Sequence, residues 1–331
     1  MTKRILVTGG AGFVGSHACK ALAQEGYEPV VYDDLRRGNR WAVKWGPFVE
    51  APLEDQARLV TTIKGFDIEA VMHFAAYAYV GESMSDPSAY FRNNVSASLN
   101  LLDAMAEVGI EPLVISSTCA TYGNPATSPI TEDMPLSPIN PYGASKVMME
   151  QCAQWYGETK DIRTIALRYF NAAGCDPEGE IGELHDPEPH LVPLVVQAAL
   201  GQREAITVNG TDYDTPDGTA VRDYIHVTDL ARAHILALKR LLDGGESAVC
   251  NLGTGQGSSI LEIINAVGHE VGRQPKVING PRRPGDPPAL VADPTRAREF
   301  LGWSAEYSSL DKIARDVVNW YSNVLPRITS A

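Results

Sequence analysis

The run Thr8-Gly9-Gly10-Ala11-Gly12-Phe13-Val14-Gly15 lies between an apolar stretch that reads as a strand, Lys3–Thr8, and an amphipathic stretch that reads as a helix, Phe13–Glu25. Gly9, Gly12 and Gly15 recur at every third residue. A side chain at such a turn would block backbone approach to a pyrophosphate, and the helix that follows offers it free N–H groups and a partial positive charge. The arrangement predicts a dinucleotide site; a tight turn with no ligand is the plain alternative. Asp33 favours the ligand, because it closes the next strand, Pro29–Asp33, 18 residues beyond Gly15. A carboxylate there can accept both hydroxyls of an adenosine ribose, and its charge repels a 2′-phosphate, so NAD is expected rather than NADP. Arg36 and Arg37 follow closely and read as solvated charges near the adenosine end.

The strand–helix alternation continues. Ala70–Phe74, Pro112–Ser116 and Arg163–Tyr169 read as strands; Pro87–Val108 and Pro141–Glu158 read as helices. The strand runs are almost continuously apolar, the pattern of a parallel sheet buried on both faces. Repeated βα units with right-handed crossovers predict an α/β fold, a doubly wound parallel sheet of Rossmann type. After Asn171 the character changes. Gly174–Pro193, rich in Gly, Pro, Asp and Glu, reads as loop. A helix near Val192–Leu200, a strand near Ile206–Val208 and helices over Thr228–Leu242 and Ser258–Val271 follow, and the proline-rich Pro281–Pro288 is irregular. With 331 residues, two domains are expected. These are an NAD-binding domain over 1–171 and a smaller mixed α/β substrate lobe over 172–331, with 222–255 returning to the first domain.

Composition excludes several classes. A 44% apolar and 21% charged chain is neither disordered nor collagen-like. A net charge of −13 repels polyphosphate backbones, so no nucleic-acid partner is expected. No window approaches a membrane span, and the apolar run after Met1–Arg4 is too short for a signal peptide, so a cytoplasmic location is expected. Cys19, Cys119, Cys152, Cys175 and Cys250 are widely spaced without a Cys-x-x-Cys pair and read as reduced, mostly buried thiols. His185 and His190 lack familiar metal-site spacing and read as solvated loop histidines, so no metal is expected.

Tyr142 and Lys146 stand four apart, on one face of the expected helix. A neighbouring ammonium favours phenolate, which makes Tyr142 a candidate general base. Ser116-Ser117-Thr118 ends the preceding strand, pointing at the carboxyl edge where open α/β sheets bind ligands. Thr118 is placed to share a proton with a substrate hydroxyl; Ser116 and Ser117 read equally well as loop caps.

These features resemble the extended short-chain dehydrogenase/reductase family. The resemblance sharpens through His73-Phe74-Ala75-Ala76, Val80-Gly81-Glu82-Ser83, Asn93-Asn94-Val95, Thr121-Tyr122-Gly123, Leu167-Arg168-Tyr169-Phe170-Asn171, Gly218–Val227 and Asn251-Leu252-Gly253, in order along nearly the whole chain. It is similar to the UDP-glucose (UDP-galactose) 4-epimerases, and some wording to the branch that holds UDP-arabinose/UDP-xylose 4-epimerases. The resemblance implies an NAD-dependent enzyme that inverts C4 of a UDP-sugar through a 4-keto intermediate, with Tyr142 as base, Lys146 orienting the cofactor and tuning Tyr142, and Thr118 beside them. It implies further cofactor contacts at Phe13, Val14, Leu53, Phe74, Ala75, Ala76, Asn94, Ser116 and Tyr169. For the substrate it implies Asn171, His190, Leu191, Arg222, Arg283, Asp286 and Leu290, with both arginines on the diphosphate and Asp286 on the uridine ribose. It also implies a homodimer through the outer faces of the Pro87–Val108 and Pro141–Glu158 helices, whose apolar positions such as Val95, Leu99, Leu102, Met149 and Cys152 otherwise read as facing the sheet.

The chain departs from the family pattern at three places. Ala78 stands where many members carry a cofactor-reaching Lys, and Pro52 where an Asp often meets adenine, which leaves that base to backbone groups, Glu54 or Asp55. Leu290 stands where a Tyr often closes the sugar pocket, leaving room for an N-acetylated sugar. Thr118 is followed by Cys119 and Ala120 instead of the carboxylates a dehydratase needs. An NAD-sensing regulator is disfavoured because Tyr142 and Lys146 are both kept, and a dehydrogenase that releases its cofactor at each turnover is a further alternative.

Overall fold

The computed structural model describes residues 2–283 and 286–330. Pro284 and Gly285, within the expected irregular Pro281–Pro288 run, lie outside the described residues, as do the end residues Met1 and Ala331 of the two expected domains. Seven parallel strands form the central sheet, in the order Ala248–Leu252, Arg163–Tyr169, Pro112–Thr118, Ile68–His73, Arg4–Thr8, Glu28–Asp33 and Phe48–Glu50. The doubly wound parallel sheet expected from the apolar runs is borne out. The order of connection reverses between Arg4–Thr8 and Ile68–His73, and the carboxyl ends of strands at such a switch point border a ligand crevice. Cores lie on both faces of the sheet. One packs Ile5, Val7, Leu22 and Leu167 against Leu230 and Leu238 of the Val227–Leu242 helix; the other packs Leu6, Val71 and Leu113 against Leu101, Met105 and Met149.

The later part of the chain contributes to two bodies. The Ala248–Leu252 strand closes one edge of the large sheet, and the Val227–Leu242 helix covers it beside the Phe13–Gln24 helix. The Leu191–Ala199, Ile260–Val271 and Leu310–Asn319 helices build a separate core around Val195, Ile263, Val317 and Trp320. Short pairs flank it, Ile206–Asn209 with Val277–Gly280, and Val221–Arg222 between Ser258–Ser259 and Ala289–Leu290. No described helix is long and apolar enough to cross a membrane.

The expected continuous helix over Pro87–Val108 is interrupted. Pro87–Phe91 and Ala97–Val108 are joined by a π-type turn at Arg92–Ser96. Such a turn inserts one residue into the register, and periodicity alone does not reveal it. All five cysteines are free; Cys19, Cys175 and Cys250 are buried, and Cys119 and Cys152 are half-buried.

Candidate active site

A single cleft of about 1090 Å³ runs from the glycine turn, across the carboxyl ends of the central strands, to the smaller body. At one end lies the turn after Arg4–Thr8. A Cβ on Gly15 would stand 2.2 Å from the Gly9 carbonyl oxygen, and one on Gly9, itself at φ +73°, would stand 2.5 Å from the Ala75 nitrogen. The backbone is therefore packed too closely for any side chain there, and the floor of the cleft is bare main chain. Asp33 stands beside it, 8% exposed, its carboxylate accepting from the Ala11 N–H at 3.0 Å and the Leu35 N–H at 2.9 Å. Burial raises its pKa above the ordinary carboxylate value, and those two N–H groups oppose the rise. A buried acceptor beside a helix N-terminus and a bare glycine floor fits a ribose joined to a pyrophosphate, and so fits NAD.

The adenosine end corrects two expectations. Arg36 bonds Glu54 at 3.1 Å and Asp34 at 3.0 Å. Arg37 pairs with Glu82 and lies over the rings of Tyr77 and Tyr79, 4.5 and 4.7 Å from their centres. Neither is simply a solvated loop charge, because two aromatic rings and three carboxylates converge on the loop. Asp55 caps the Gln56–Gly65 helix by accepting from Arg58 N, and the Pro52 carbonyl accepts from the Tyr32 hydroxyl, so of Glu54 and Asp55 only Glu54 borders the cleft. Replacing Asp33 by Asn is expected to weaken NAD by about 10- to 100-fold, the usual worth of hydrogen bonds to a charged group. Cofactor occupancy of the purified variant, followed by NAD titration, measures it; unchanged occupancy removes Asp33 from the site.

The reacting end is built on the Pro141–Lys160 helix. Asn140 caps it, accepting from Gly143 N at 2.8 Å, and Pro141 opens it, which fixes Tyr142 in the first turn. Gly143 lets the helix approach closely, since a Cβ there would stand 2.4 Å from the Ala120 carbonyl oxygen. Tyr142 is thereby brought against Thr118, which ends its strand and accepts from Ala120 N at 3.1 Å. Burial pushes the Tyr142 phenol above its ordinary range, and the Thr118 hydroxyl pulls it the other way. Lys146 is 2% exposed and donates to the Ser116 carbonyl at 2.8 Å. Ser116 bonds the Tyr169 hydroxyl, while Ser117 turns away from the cleft to bond Glu150.

Burial also lowers the Lys146 ammonium to about 8, against the pull of the Glu150 carboxylate. An unfolded lysine titrates near 10.4, so the folded chain binds fewer protons between about 8 and about 10.4. Stability therefore rises with pH across that window, and this contribution is lost as pH falls through about 8. Melting curves from pH 7 to 10 are expected to show wild type gaining on Lys146→Met as pH rises. A difference that does not change with pH contradicts a buried, weakly basic Lys146.

At the far end Arg222, 8% exposed, donates to the Val221 carbonyl at 2.7 Å and pairs with Asp286. Arg283 is exposed at the rim, within 3.2 Å of the Asn209 amide, whose oxygen accepts from it when the amide is oriented to suit. Arg282 points elsewhere, pairing with Asp212 and lying over Tyr213. Asn171, His190, Leu191 and Leu290 border the same cleft, as do Phe13, Val14, Leu53, Phe74, Ala75 and Ala76. Asn94 is the exception among the expected site residues. It is fully buried behind the wall, bonding both backbone groups of Tyr77 and the Ser145 hydroxyl, and its neighbour Asn93 borders the cleft in its place. The π-type turn rotates the pair in this way. Asn94 holds the Tyr77 segment against the helix of Tyr142.

His185 and His190 are not solvated loop histidines. Both bond the buried carboxylates of Glu183 and Glu188. The loop folds inward because Trp320 donates to the Glu183 carbonyl at 2.9 Å and its ring fills the space beside Gly182. Sequence reading also missed the pairing of Glu150 with Arg168, just behind Lys146; the local signal for Glu150 was its four-residue spacing from Lys146.

The model of the NAD dependent epimerase/dehydratase family matches residues 5–253. The chain belongs to that family. Among the relatives it is similar to, the UDP-glucose 4-epimerase of Rhizobium meliloti is 50% identical over 319 residues, 96% of this chain and 97% of that protein. The crystal structure of UDP-glucose 4-epimerase from Brucella ovis in complex with NAD superposes with a TM-score of 0.94 at 52% identity, covering 96% of this chain and 98% of that one. A UDP-glucose-4-epimerase from Stenotrophomonas maltophila, with bound NAD and formylated UDP-arabinopyranose, gives a TM-score of 0.94 at 39% identity, with 100% of each chain covered. The family membership inferred from the motifs is borne out.

Proposed function

We propose that this protein is an NAD-dependent UDP-sugar 4-epimerase acting on UDP-galactose and UDP-glucose. The observation that carries the reading is the continuity of one cleft. It joins the glycine turn and Asp33 to Tyr142, Lys146 and Thr118, and these in turn to Arg222 and Arg283. NAD, when bound, would supply reversible hydride-acceptor chemistry for the sugar C4. Gly9, Gly12, Gly15, Phe13 and Val14 hold its pyrophosphate and Asp33 its adenosine ribose. Tyr142 removes the proton of the sugar 4-hydroxyl and hands it back to the inverted centre, with Thr118 in reach of the same oxygen. Lys146 supplies the positive charge that favours the phenolate. The guanidinium groups of Arg222 and Arg283 match a diphosphate in charge and fork geometry, with Arg222 exchanging its Asp286 partner for the ligand. Net redox change is zero, so the cofactor stays through turnover.

The deciding experiment is proton NMR of the purified enzyme with UDP-galactose and, separately, UDP-arabinopyranose, with no NAD added. Conversion of UDP-galactose to UDP-glucose is the expected result. Conversion of the pentose alone moves the substrate and keeps the mechanism; no conversion of either by NAD-loaded enzyme overturns the substrate assignment. The reading places the enzyme in the cytoplasm and in galactose metabolism.

The 1–171 and 172–331 division, with 222–255 returning, suits a cofactor domain and a nucleotide-sugar lobe. A homodimer through the Ala97–Val108 and Pro141–Lys160 helices fits the exposure of Met148 and Trp155, seven residues apart on one helical face. Val95, Leu99 and Cys152 are half-buried, whereas Leu102 and Met149 face the sheet. Light scattering at twice the 35.8 kDa chain mass is the expected reading, and a monomer refutes it.

A further inference from the structure

The loop ahead of the Leu191–Ala199 helix gathers Glu183, His185, Glu188 and His190 so that one nitrogen or oxygen of each lies within 4.8 Å of the others. His190 Nδ1 is 2.8 Å from Glu183 Oε1 and 2.9 Å from Glu188 Oε1. His185 Nδ1 is 3.4 Å from Glu183 Oε1 and 3.3 Å from Glu188 Oε2. Both imidazoles therefore aim the same ring nitrogen at the same two carboxylates. These carboxylates are deeply buried, with side chains 2% and 4% exposed. The second oxygen of Glu183, Oε2, is buried with no hydrogen-bond partner, although the residue is 1% exposed. An orphaned carboxylate oxygen at such depth is costly in a cluster held by hydrogen bonds alone.

We propose that Glu183, His185, Glu188 and His190 form a binding site for one divalent transition-metal ion, zinc being the best match, in the wall of the substrate cleft. Two imidazole nitrogens and two carboxylates are the donor set that borderline ions of this class prefer, and the two carboxylates balance the charge of a dication. Bonds of about 2.0–2.2 Å in a tetrahedron place the donors about 3.3 Å apart. The contacts of the two imidazoles with Glu183 Oε1, 2.8 and 3.4 Å, bracket that spacing, and all four donors lie within 4.8 Å of one another, so side-chain adjustments close the set on an ion. Coordination at Oε1 would also neutralise the buried carboxylate whose Oε2 has no hydrogen-bond partner. Calcium and magnesium, which favour oxygen donors, fit less well. The acidic group Asp176, Glu178 and Glu180 is not a second such site, because Lys20 places its ammonium 2.6–2.8 Å from all three carboxylates.

The ion would tie down the loop that carries His190 and leads into Leu191. The rings of His185 and His190 lie 5.7 and 5.8 Å from Tyr79, on the cofactor side of the cleft. Anchoring the loop would therefore steady both sides of the cleft mouth.

The test uses the enzyme with its NAD in place, stripped with EDTA and titrated calorimetrically with zinc chloride. One saturable site per chain is expected, accompanied by a rise in melting temperature, because the ion binds the folded state. Cobalt(II) in the same site is expected to show the visible d–d bands of a four-coordinate ion. His185→Ala and, as a shape-conserving second variant, Glu188→Gln are each expected to weaken zinc at least about 100-fold. His269→Ala, at an exposed histidine elsewhere, is expected to bind as wild type. No saturable site in the wild type, or unchanged affinity in both His185→Ala and Glu188→Gln, overturns the proposal. The readout is metal affinity, so the result stands whichever sugar the enzyme turns over.

Discussion

Tyr142→Phe is expected to lower kcat by about 10³-fold while the enzyme keeps its NAD. The change removes one oxygen and leaves the ring, so the packing of this buried residue is preserved. General-base catalysis is worth about 10²–10⁴ in rate, and the mid-range corresponds to about 4 kcal/mol of barrier. Single-turnover rates with UDP-galactose, alongside the NAD content of the purified variant, separate chemistry from cofactor loss. Near-full turnover transfers the base role to another group. A loss of NAD in step with activity makes Tyr142 a binding residue rather than the base.

Arg168→Leu is expected to destabilise the fold by about 3–5 kcal/mol, the usual cost of leaving one member of a buried ion pair alone. Arg168 is 4% exposed and grips both oxygens of Glu150, and its Nη1 donates to the Tyr122 hydroxyl at 2.9 Å. Tyr122 in turn donates to Asn251 at 2.7 Å, so the guanidinium links the Arg163–Tyr169 strand, the Pro141–Lys160 helix and the Ala248–Leu252 strand. Chemical denaturation measures the loss. The double variant Arg168→Leu/Glu150→Leu is expected to recover part of it, because no uncompensated carboxylate remains; a double variant as unstable as the sum of the singles contradicts the pairing. Glu150 also acts on Lys146, one helical turn away. The single variant should therefore shift the pH dependence of turnover as well as stability.

Much of the site was legible because it is encoded in short spacings. Gly12 and Gly15 announce their turn, since a Cβ on either would crowd the Gly9 carbonyl oxygen within the turn itself, whereas Gly9 is set by its positive φ and by the distant Ala75 backbone. Tyr142 and Lys146 share a helical face by periodicity alone. Asp33 was placed by the end of its strand. Asn94 was misplaced because a π-type turn shifts helical register without changing composition. Arg37 was read as solvated because its partners, Tyr77, Tyr79 and Glu82, lie some 40 to 45 residues further along the chain. The spacing of His185 and His190 matches no familiar metal site, and the depth at which Glu183 and Glu188 are buried has no signature in a stretch rich in Pro and Glu.

The order of apolar and amphipathic runs in this chain determined the parallel sheet, the glycine turn at its switch point and the Tyr142–Lys146 helix. Each follows from backbone geometry and hydrophobic burial acting over a few residues. Tertiary structure alone decided which charges are paired, which carboxylate is orphaned and which asparagine faces the cleft. Those outcomes depend on where distant segments meet, and on the cost of burying a polar group beside one partner rather than another.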